Sequence, residues 1–166
     1  MVTFAGSYID ANYEDHKNGP CDRTFVPPAS DDCPIVNGGP ARVKDFTGRT
    51  PSGVPEIAIT VSATDSFDIN PNISGYVTGE YVYEDEFQAT DAVPIEVPNA
   101  LREVGTFNAS VGVKHEPSGF GLMVWGRNIN DDEYIYTGFN VPGSPGSYAG
   151  YPVVPSMWGI TINKEF

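Results

Sequence analysis

The sequence has few basic residues and no long apolar run. Nine Lys and Arg residues stand against 22 Asp and Glu residues, which gives a formal net charge of −13. Such a chain repels polyanions, so nucleic acid is excluded as a partner. A transmembrane helix is not expected, because no run of about 18 apolar residues is present. A β-barrel strand needs only about 9–11 alternating residues, so a membrane protein of that class is still allowed.

Cysteine and histidine are equally scarce. Cys21 and Cys33 lie in a polar segment rich in Pro, Asp and Gly, with His16 as the one nearby histidine. A zinc site would lack ligands there. The spacing fits a disulfide that closes a surface loop in an oxidising compartment, and two unpaired thiols are the alternative. His115 stands apart from other chemistry-bearing residues and no phosphate-binding loop is present, so we expect no enzyme, cofactor or metal.

What the chain does contain is a repeated β-strand pattern. Apolar and polar side chains alternate with a period of two in six segments, which is typical of strands with one apolar face. Runs rich in Val, Ile, Thr, Tyr and Phe are separated by turn residues. The predicted strands cover about 2–13, 54–65, 72–83, 105–115, 119–129 and a final segment near 158–163.

The predicted connections alternate between long and short. Long loops fall at 14–53, 84–104 and 130–155, and short turns fall at 66–71 and 116–118. Outer-membrane barrels have long external loops and short periplasmic turns, so this order favours a barrel with its C-terminus at the periplasmic side.

Two features of these connections each allow two interpretations. Acidic clusters such as those at 84–86 and 131–133 are either solvated loop residues or an acidic mouth that concentrates cations. The tyrosines near the outer strand ends fit either an aromatic girdle or the ordinary β-propensity of Tyr. These tyrosines are Tyr8, Tyr13, Tyr81, Tyr83, Tyr134 and Tyr136.

The C-terminal stretch is the most specific signal. Trp158, Ile160, Ile162 and Phe166 share one face at period two, and Phe166 is the last residue. This ending resembles the assembly signal of bacterial outer-membrane barrels, which has a terminal aromatic residue after alternating apolar ones. Lys164 departs from that pattern, where the signal often has an aromatic or apolar residue, but a lysine can extend its ammonium group to the membrane interface.

A second motif runs from Leu122 to Tyr134 and reads LMVWGRNINDDEY. It resembles the penultimate-strand motif of TonB-dependent receptors, in which Gly-Arg/Lys-Asn-Leu ends a strand and Thr/Asn-Asp, an acidic residue and Tyr follow. Asn128, Asn130 and Asp131 suit the point where a strand leaves the membrane and turns. Segment 45–55, DFTGRTPSGVP, is similar to the loop that precedes a strand in that family. The resemblance extends over nearly the whole chain.

The resemblance implies both a fold and a function. The fold would be an all-β, antiparallel meander of about six strands, part of a large transmembrane β-barrel in the bacterial outer membrane. The function would be energy-dependent uptake of a scarce nutrient, such as an iron–siderophore complex. Its plug domain and signal peptide are not found in residues 1–166, so we expect a fragment. Contact with the TonB complex would belong to the missing N-terminal part, and membrane lipid and the barrel-assembly machinery would be the partners.

The alternation also predicts which side chains face the lumen and which face lipid. The lumen-facing candidates are Tyr76, Glu80, Trp125 and Arg127, because Arg127 falls on the side opposite Leu122 and Val124. The lipid-facing candidates are Phe107, Val111, Val113, Leu122, Val124, Ile160 and Ile162.

Two other interpretations of the chain are open. One, from another class of protein, is a soluble secreted β-sandwich that binds a partner, and the other is a small barrel closed by oligomerisation.

Overall fold

The computed structural model of the chain describes residues 1–20, 43–93, 97–144 and 146–165, which form ten β-strands. The described part of the chain contains no helix of the length and hydropathy that crossing a membrane requires. The strands are β1 (Val2–Tyr8), β2 (Gly19–Pro20), β3 (Val43–Lys44), β4 (Ile57–Asn70), β5 (Ile73–Gln88), β6 (Leu101–His115), β7 (Phe120–Arg127), β8 (Ile135–Asn140), β9 (Tyr148–Pro152) and β10 (Met157–Lys164).

Six of these strands form one sheet in the order β1-β4-β5-β6-β7-β10. Every neighbouring pair in this main sheet is antiparallel. The prediction of an all-β, antiparallel meander of six strands is therefore confirmed. The sheet is open, because β1 and β10 each have one edge without a partner strand within the described ranges.

The strands of the main sheet are longer than predicted at two connections. β4 and β5 continue until only Pro71 and Asn72 separate them, so the predicted turn at 66–71 was too long. The turn is tight because the side chain of Asn70 accepts a hydrogen bond from the Asn72 backbone N–H at 2.9 Å. The predicted loop at 84–104 narrows to 89–100, since a bulge between Glu84 and Phe87 lets β5 keep its pairing with β6.

Two further corrections concern the long connections. The first strand ends at Tyr8 and not near residue 13, because the backbone then turns away to pair with the loop at Arg49. The predicted loop at 130–155 contains the two-stranded sheet of β8 and β9, which the Gly and Pro residues around it concealed. A second small sheet pairs β2 with β3 inside the first long connection.

The register gives the main sheet two chemically different faces. Residues directly opposite each other on antiparallel strands point to the same side, so a row of partners shares one face. One such row joins Val77, Val111, Val124 and Ile160 across four strands. We call this side the apolar face, and it also carries Phe4, Ile59, Val61, Phe67, Tyr81, Phe107, Val113, Leu122, Trp158 and Ile162.

The opposite side, the polar face, carries hydroxyl, amide and charged groups. Thr64 and Thr78 face each other there across β4 and β5, with their hydroxyl oxygens 3.0 Å apart. The apolar face has one charged side chain in its central part, the exposed Asp65, opposite Val77. The polar face also includes Thr60, Ser62, Ser74, Tyr76, Glu80, Asn108, Ser110, Lys114, Met123, Trp125, Arg127, Thr161 and Asn163.

No second layer covers the apolar face in the part of the chain that the structure describes. Val111, Leu122 and Ile160 are 50%, 44% and 70% exposed. The buried apolar residues lie instead at the end of the sheet where the long connections are. They are Phe46, Phe87, Val93, Ala100 and Val104. The hydrophobic effect within the described chain therefore organises the loop end, and not the sheet.

Glycines opposite aromatic residues recur in the main sheet. The indole of Trp125 lies over Gly159 and the phenol ring of Tyr76 lies over Gly112, both on the polar face. On the apolar face the ring of Phe67 lies against Gly75 in the same way. A strand glycine offers no side chain, and a cross-strand ring fills that space and shields the backbone.

We expect Gly159→Ala to destabilise the folded sheet by roughly 1–3 kcal/mol, because a Cβ there would overlap the Trp125 indole and force it from its place. The matched control is Gly79→Ala. The nearest atoms to its Cβ belong to Phe107 at 3.7 Å, an ordinary contact distance. Urea unfolding measures the free energy of unfolding of both variants. Equal effects would contradict the proposed ring-over-glycine packing.

Candidate functional site

Three of the four predicted lumen-facing residues meet in one shallow concavity on the polar face. Glu80, Trp125 and Arg127 line this concavity of about 690 Å³, together with side chains of β6 and β10. Tyr76 shares the face but lies nearer the short turns, over Gly112. All four residues share the polar face, and the register decides which of them are neighbours; that this face lines a lumen stays a prediction.

Hydrogen bonds fix the side chains of this concavity. Asn108 donates from Nδ2 to Oε1 of Glu80 at 3.0 Å, and Trp125 donates from Nε1 to Oγ1 of Thr161 at 3.2 Å. The Arg127 guanidinium carbon lies 5.6 Å from the centre of the Trp125 ring, within the range of a cation–π interaction. A carboxylate, a guanidinium and an indole are thus held on one surface, where they can hydrogen-bond and stack with a polar ligand.

Asn128 is the centre of the chain's exit from β7. Its side chain is 5% exposed and its backbone has a φ of 48°, in the left-handed region that Asn tolerates. Nδ2 donates to the carbonyl oxygens of Asp132 at 2.9 Å and Val154 at 3.1 Å, while Oδ1 accepts from the Asp132 N–H at 2.8 Å. One amide therefore ties both ends of the long connection together.

The residues after Asn128 act as a substitute strand beside β6. Asn130 accepts from the Phe107 N–H at 2.8 Å and donates to the Gly105 carbonyl at 2.6 Å. Asp132 accepts from the Gly105 N–H at 2.7 Å. β6 extends past the end of β7, and these side chains satisfy backbone groups that would otherwise lack a partner. The prediction that this motif forms a turn at a strand exit agrees with the structure, which adds this pairing.

A guanidinium holds the loop end together above the sheet. Arg102 Nη2 lies 3.3 Å from Oε2 of Glu84, and Nη1 donates to the Tyr136 carbonyl at 3.0 Å. Its carbon lies 4.5 Å from the ring centre of Phe87, with the rings of Tyr134 and Tyr136 at 5.6 Å and 5.2 Å. Burial raises the pKa of Tyr134. We call this group the Arg102 cluster.

Sequence reasoning missed the Arg102 cluster because residue 102 fell inside a predicted loop. The sequence offered one signal for it, the basic Arg102 together with the aromatic residues Phe87 and Tyr136 in an acidic region, but these residues are far apart in the sequence.

Another small cluster anchors the first long connection, where His16 lies edge-on between Tyr13 and Phe46, with ring centres 4.6 Å and 5.4 Å apart.

The acidic clusters divide between structural and solvated roles. Asp131 accepts from the Ser156 N–H at 2.9 Å, and Asp132 and Glu84 are engaged as described. Glu86 and Glu133 are exposed at the loop end.

In the first long connection, a hydrogen bond from Thr47 lowers the pKa of the exposed Asp45, which keeps that carboxylate charged at neutral pH.

The remaining predicted site residues fall into two groups. Trp158, Ile160 and Ile162 lie on the apolar face of β10 as expected. The lipid-facing candidates of β6 and β7 lie on the same face. Cys21, Cys33 and Phe166 lie outside the described residues.

The chain matches no protein-family model, no curated protein and no solved structure.

We expect Asn128→Ala to destabilise the fold by about 2–4 kcal/mol, because it leaves backbone groups at Asp132 and Val154 without their partner in a buried site. Asn99→Ala is the matched control. Asn99 also has a left-handed backbone, with a φ of 65°, but its side chain is exposed. Urea unfolding measures both free energies, and an equal loss in the two variants would show that backbone conformation alone sets the effect.

We expect Arg102→Lys to loosen the β8–β9 hairpin, because an ammonium lacks the planar fork that both pairs with Glu84 and stacks on the rings. Limited chymotrypsin digestion should cut at Tyr136 and Tyr151 severalfold faster. Arg49→Lys, which alters an exposed guanidinium over Phe46, should leave those cleavage rates unchanged. Unchanged cleavage rates in Arg102→Lys would contradict the role of the Arg102 cluster in holding the hairpin.

Proposed function

We propose that this chain forms wall strands of an outer-membrane β-barrel receptor that takes up a scarce nutrient in an energy-dependent way. The apolar face contacts lipid hydrocarbon, and the polar face lines a water-filled lumen. The observation that carries the proposal is the exposed apolar face, which crosses all six strands of the main sheet. Contiguous exposed apolar surface of this extent is rare on soluble monomers and marks a contact with another molecule or a membrane.

The distribution of aromatic residues on the apolar face supports a membrane as that contact. Tyr8, Tyr83 and Trp158 lie towards the long-loop end, and Phe67 and Phe120 lie towards the short-turn end. Aliphatic side chains, including the Val77, Val111, Val124 and Ile160 row, occupy the centre. Transmembrane barrels have this order, with aromatic girdles at both interfaces and aliphatic residues between them.

The height of the apolar face agrees with a bilayer. On β5 it runs from Ile73 to Tyr83, ten residue steps, which span about 34 Å at roughly 3.4 Å per residue. A strand tilt of roughly 35–45° reduces this to roughly 24–28 Å, close to the apolar band of about 25 Å on outer-membrane barrels. Asp65 is the residue that fits least well, since a carboxylate on a lipid-facing side is unfavourable.

The polar face and the long connections supply the receptor part of the proposal. Glu80, Trp125 and Arg127 would contact ligand in the lumen near its outer end. The β8–β9 hairpin, held by the Arg102 cluster, and the described residues of the loop at 89–100 would border the entrance. The free edges of β1 and β10 would pair with further strands, because unpaired backbone groups are costly in lipid.

The two tryptophans allow a direct test, because they lie on opposite faces. The single-tryptophan variants Trp125→Phe and Trp158→Phe are refolded into vesicles whose lipids carry brominated acyl chains. Bromine quenches indole fluorescence only at close range. We expect strong quenching of Trp158 and little quenching of Trp125, while aqueous iodide should give the reverse order.

Each outcome of this test is informative. Equal quenching of both residues by brominated lipid would contradict the assignment of the faces. A chain that stays soluble without detergent or vesicles, with Trp158 shielded from iodide, would favour the soluble β-sandwich and overturn the membrane proposal.

A further inference from the structure

The concavity on the polar face, here named the Trp125 concavity, holds hydrogen-bonding groups that the described residues leave unused. Glu80 accepts from Asn108 at Oε1, and no described residue donates to its Oε2. The exposed guanidinium of Arg127 lies beside the Trp125 ring, and it donates no hydrogen bond within the described parts of the chain. An acceptor and several donors are therefore available on one surface.

The charges of the Trp125 concavity cancel each other. Glu80 and Arg127 carry one charge each, of opposite sign, and neither belongs to an ion pair among the residues that the structure describes. The remaining lining residues are uncharged. Glu80 would repel an anionic ligand and Arg127 would repel a cationic one, so the concavity favours a ligand without net charge.

The indole of Trp125 provides a flat surface at the same place. One side of the ring lies over Gly159, and the bond from Nε1 to Thr161 Oγ1, at 3.2 Å, fixes its position there. The other side is turned away from the β10 backbone, towards the concavity that Trp125 lines. An aromatic face carries partial negative charge, so it attracts the weakly positive C–H groups of a molecule that lies flat on it.

Small hydroxyl side chains adjoin this flat surface. Ser110 lies directly opposite Trp125, and Thr78 lies directly opposite Ser110, so the three residues form one row on the polar face. A matching ligand has a flat C–H surface with hydrogen-bond donors and acceptors around its edge. A sugar ring has this composition, because each of its hydroxyl groups both donates and accepts.

We propose that the Trp125 concavity binds a neutral saccharide, with one sugar ring stacked on the indole and its hydroxyl groups bonded to Glu80 and Arg127. This inference rests on the proposed receptor function, in which the polar face lines the lumen, and it names the class of nutrient. The volume of about 690 Å³ is within the usual range of ligand sites, roughly 300–1,000 Å³.

The test measures the binding of radiolabelled maltohexaose, a neutral glucan, by equilibrium dialysis against the full chain refolded into phosphatidylcholine vesicles. We expect Trp125→Leu to lower the affinity by about fivefold or more, the size of effect that an aromatic contact gives. Trp125→Phe keeps a ring and should retain most of the affinity. Caffeine is flat and neutral but has no hydroxyl group, so it should not displace the glucan.

A second variant covers the case in which Trp125→Leu does not fold. Glu80→Gln keeps an oxygen that accepts from Asn108, but it loses the charged acceptor for a sugar hydroxyl, so it should lower the affinity severalfold. Glu86→Gln is the matched control, because Glu86 is exposed at the loop end and outside the concavity. It should bind maltohexaose as the wild type does.

The outcomes separate this inference from the membrane proposal. Wild-type affinity in both Glu80→Gln and Trp125→Leu, displacement by caffeine, or no saturable binding to the wild type would each overturn the saccharide site, even if brominated lipid quenches Trp158. Saturable binding that depends on Trp125 and Glu80, in a chain whose Trp158 escapes that quenching, would support the site and overturn the membrane proposal.

Discussion

One register, continuous from β1 to β10, sets the chemistry of both faces of the main sheet. Because side chains alternate along every strand, a shift by one residue in any pairing would move aliphatic groups among the hydroxyls and amides of the polar face. Backbone hydrogen bonds join the six strands to one another, but the described residues provide no protein partner for the apolar face. In the proposed receptor, membrane hydrocarbon would cover this face.

The two ends of the main sheet differ in how their residues interact. At the short turns, Pro71 and Asn72 connect long strands with a minimum of chain, and charged groups cluster around Lys114. At the long-loop end, Phe46 and Phe87 are buried, and the Arg102 guanidinium packs on the Phe87 ring. The described residues thus leave the apolar face of the main sheet uncovered, while they pack the loop end themselves.

Much of this arrangement could be predicted from the sequence. A period of two identifies strands and faces directly, so the sides of Tyr76, Glu80, Trp125 and Arg127 follow from counting residues. Strand ends were harder, because Asp68 and Asn70 are read as turn residues although they lie within β4. The hairpin of β8 and β9 escaped detection, since Gly and Pro around it indicate a loop.

What could not be predicted depends on contacts between residues far apart in the chain. The Arg102 cluster combines three segments, and no local pattern marks Arg102 as the residue that joins them. The paired glycines and rings depend on the register itself, because Gly159 has meaning only once Trp125 is known to face it. The concavity near Arg127 likewise arises where β5, β6, β7 and β10 adjoin.

The closure at Asn128 has an evolutionary consequence. Its amide joins the two stems of the long connection, at Asp132 and Val154, and Asp131 adds a second tie to Ser156. Residues 133–153 lie between these two stems, and Asn130 and Asp132 beside the first stem are hydrogen-bonded to β6. Exchange of that intervening segment would keep these ties and the main sheet, provided that the new segment still supplies aromatic residues to the Arg102 cluster in place of Tyr134 and Tyr136.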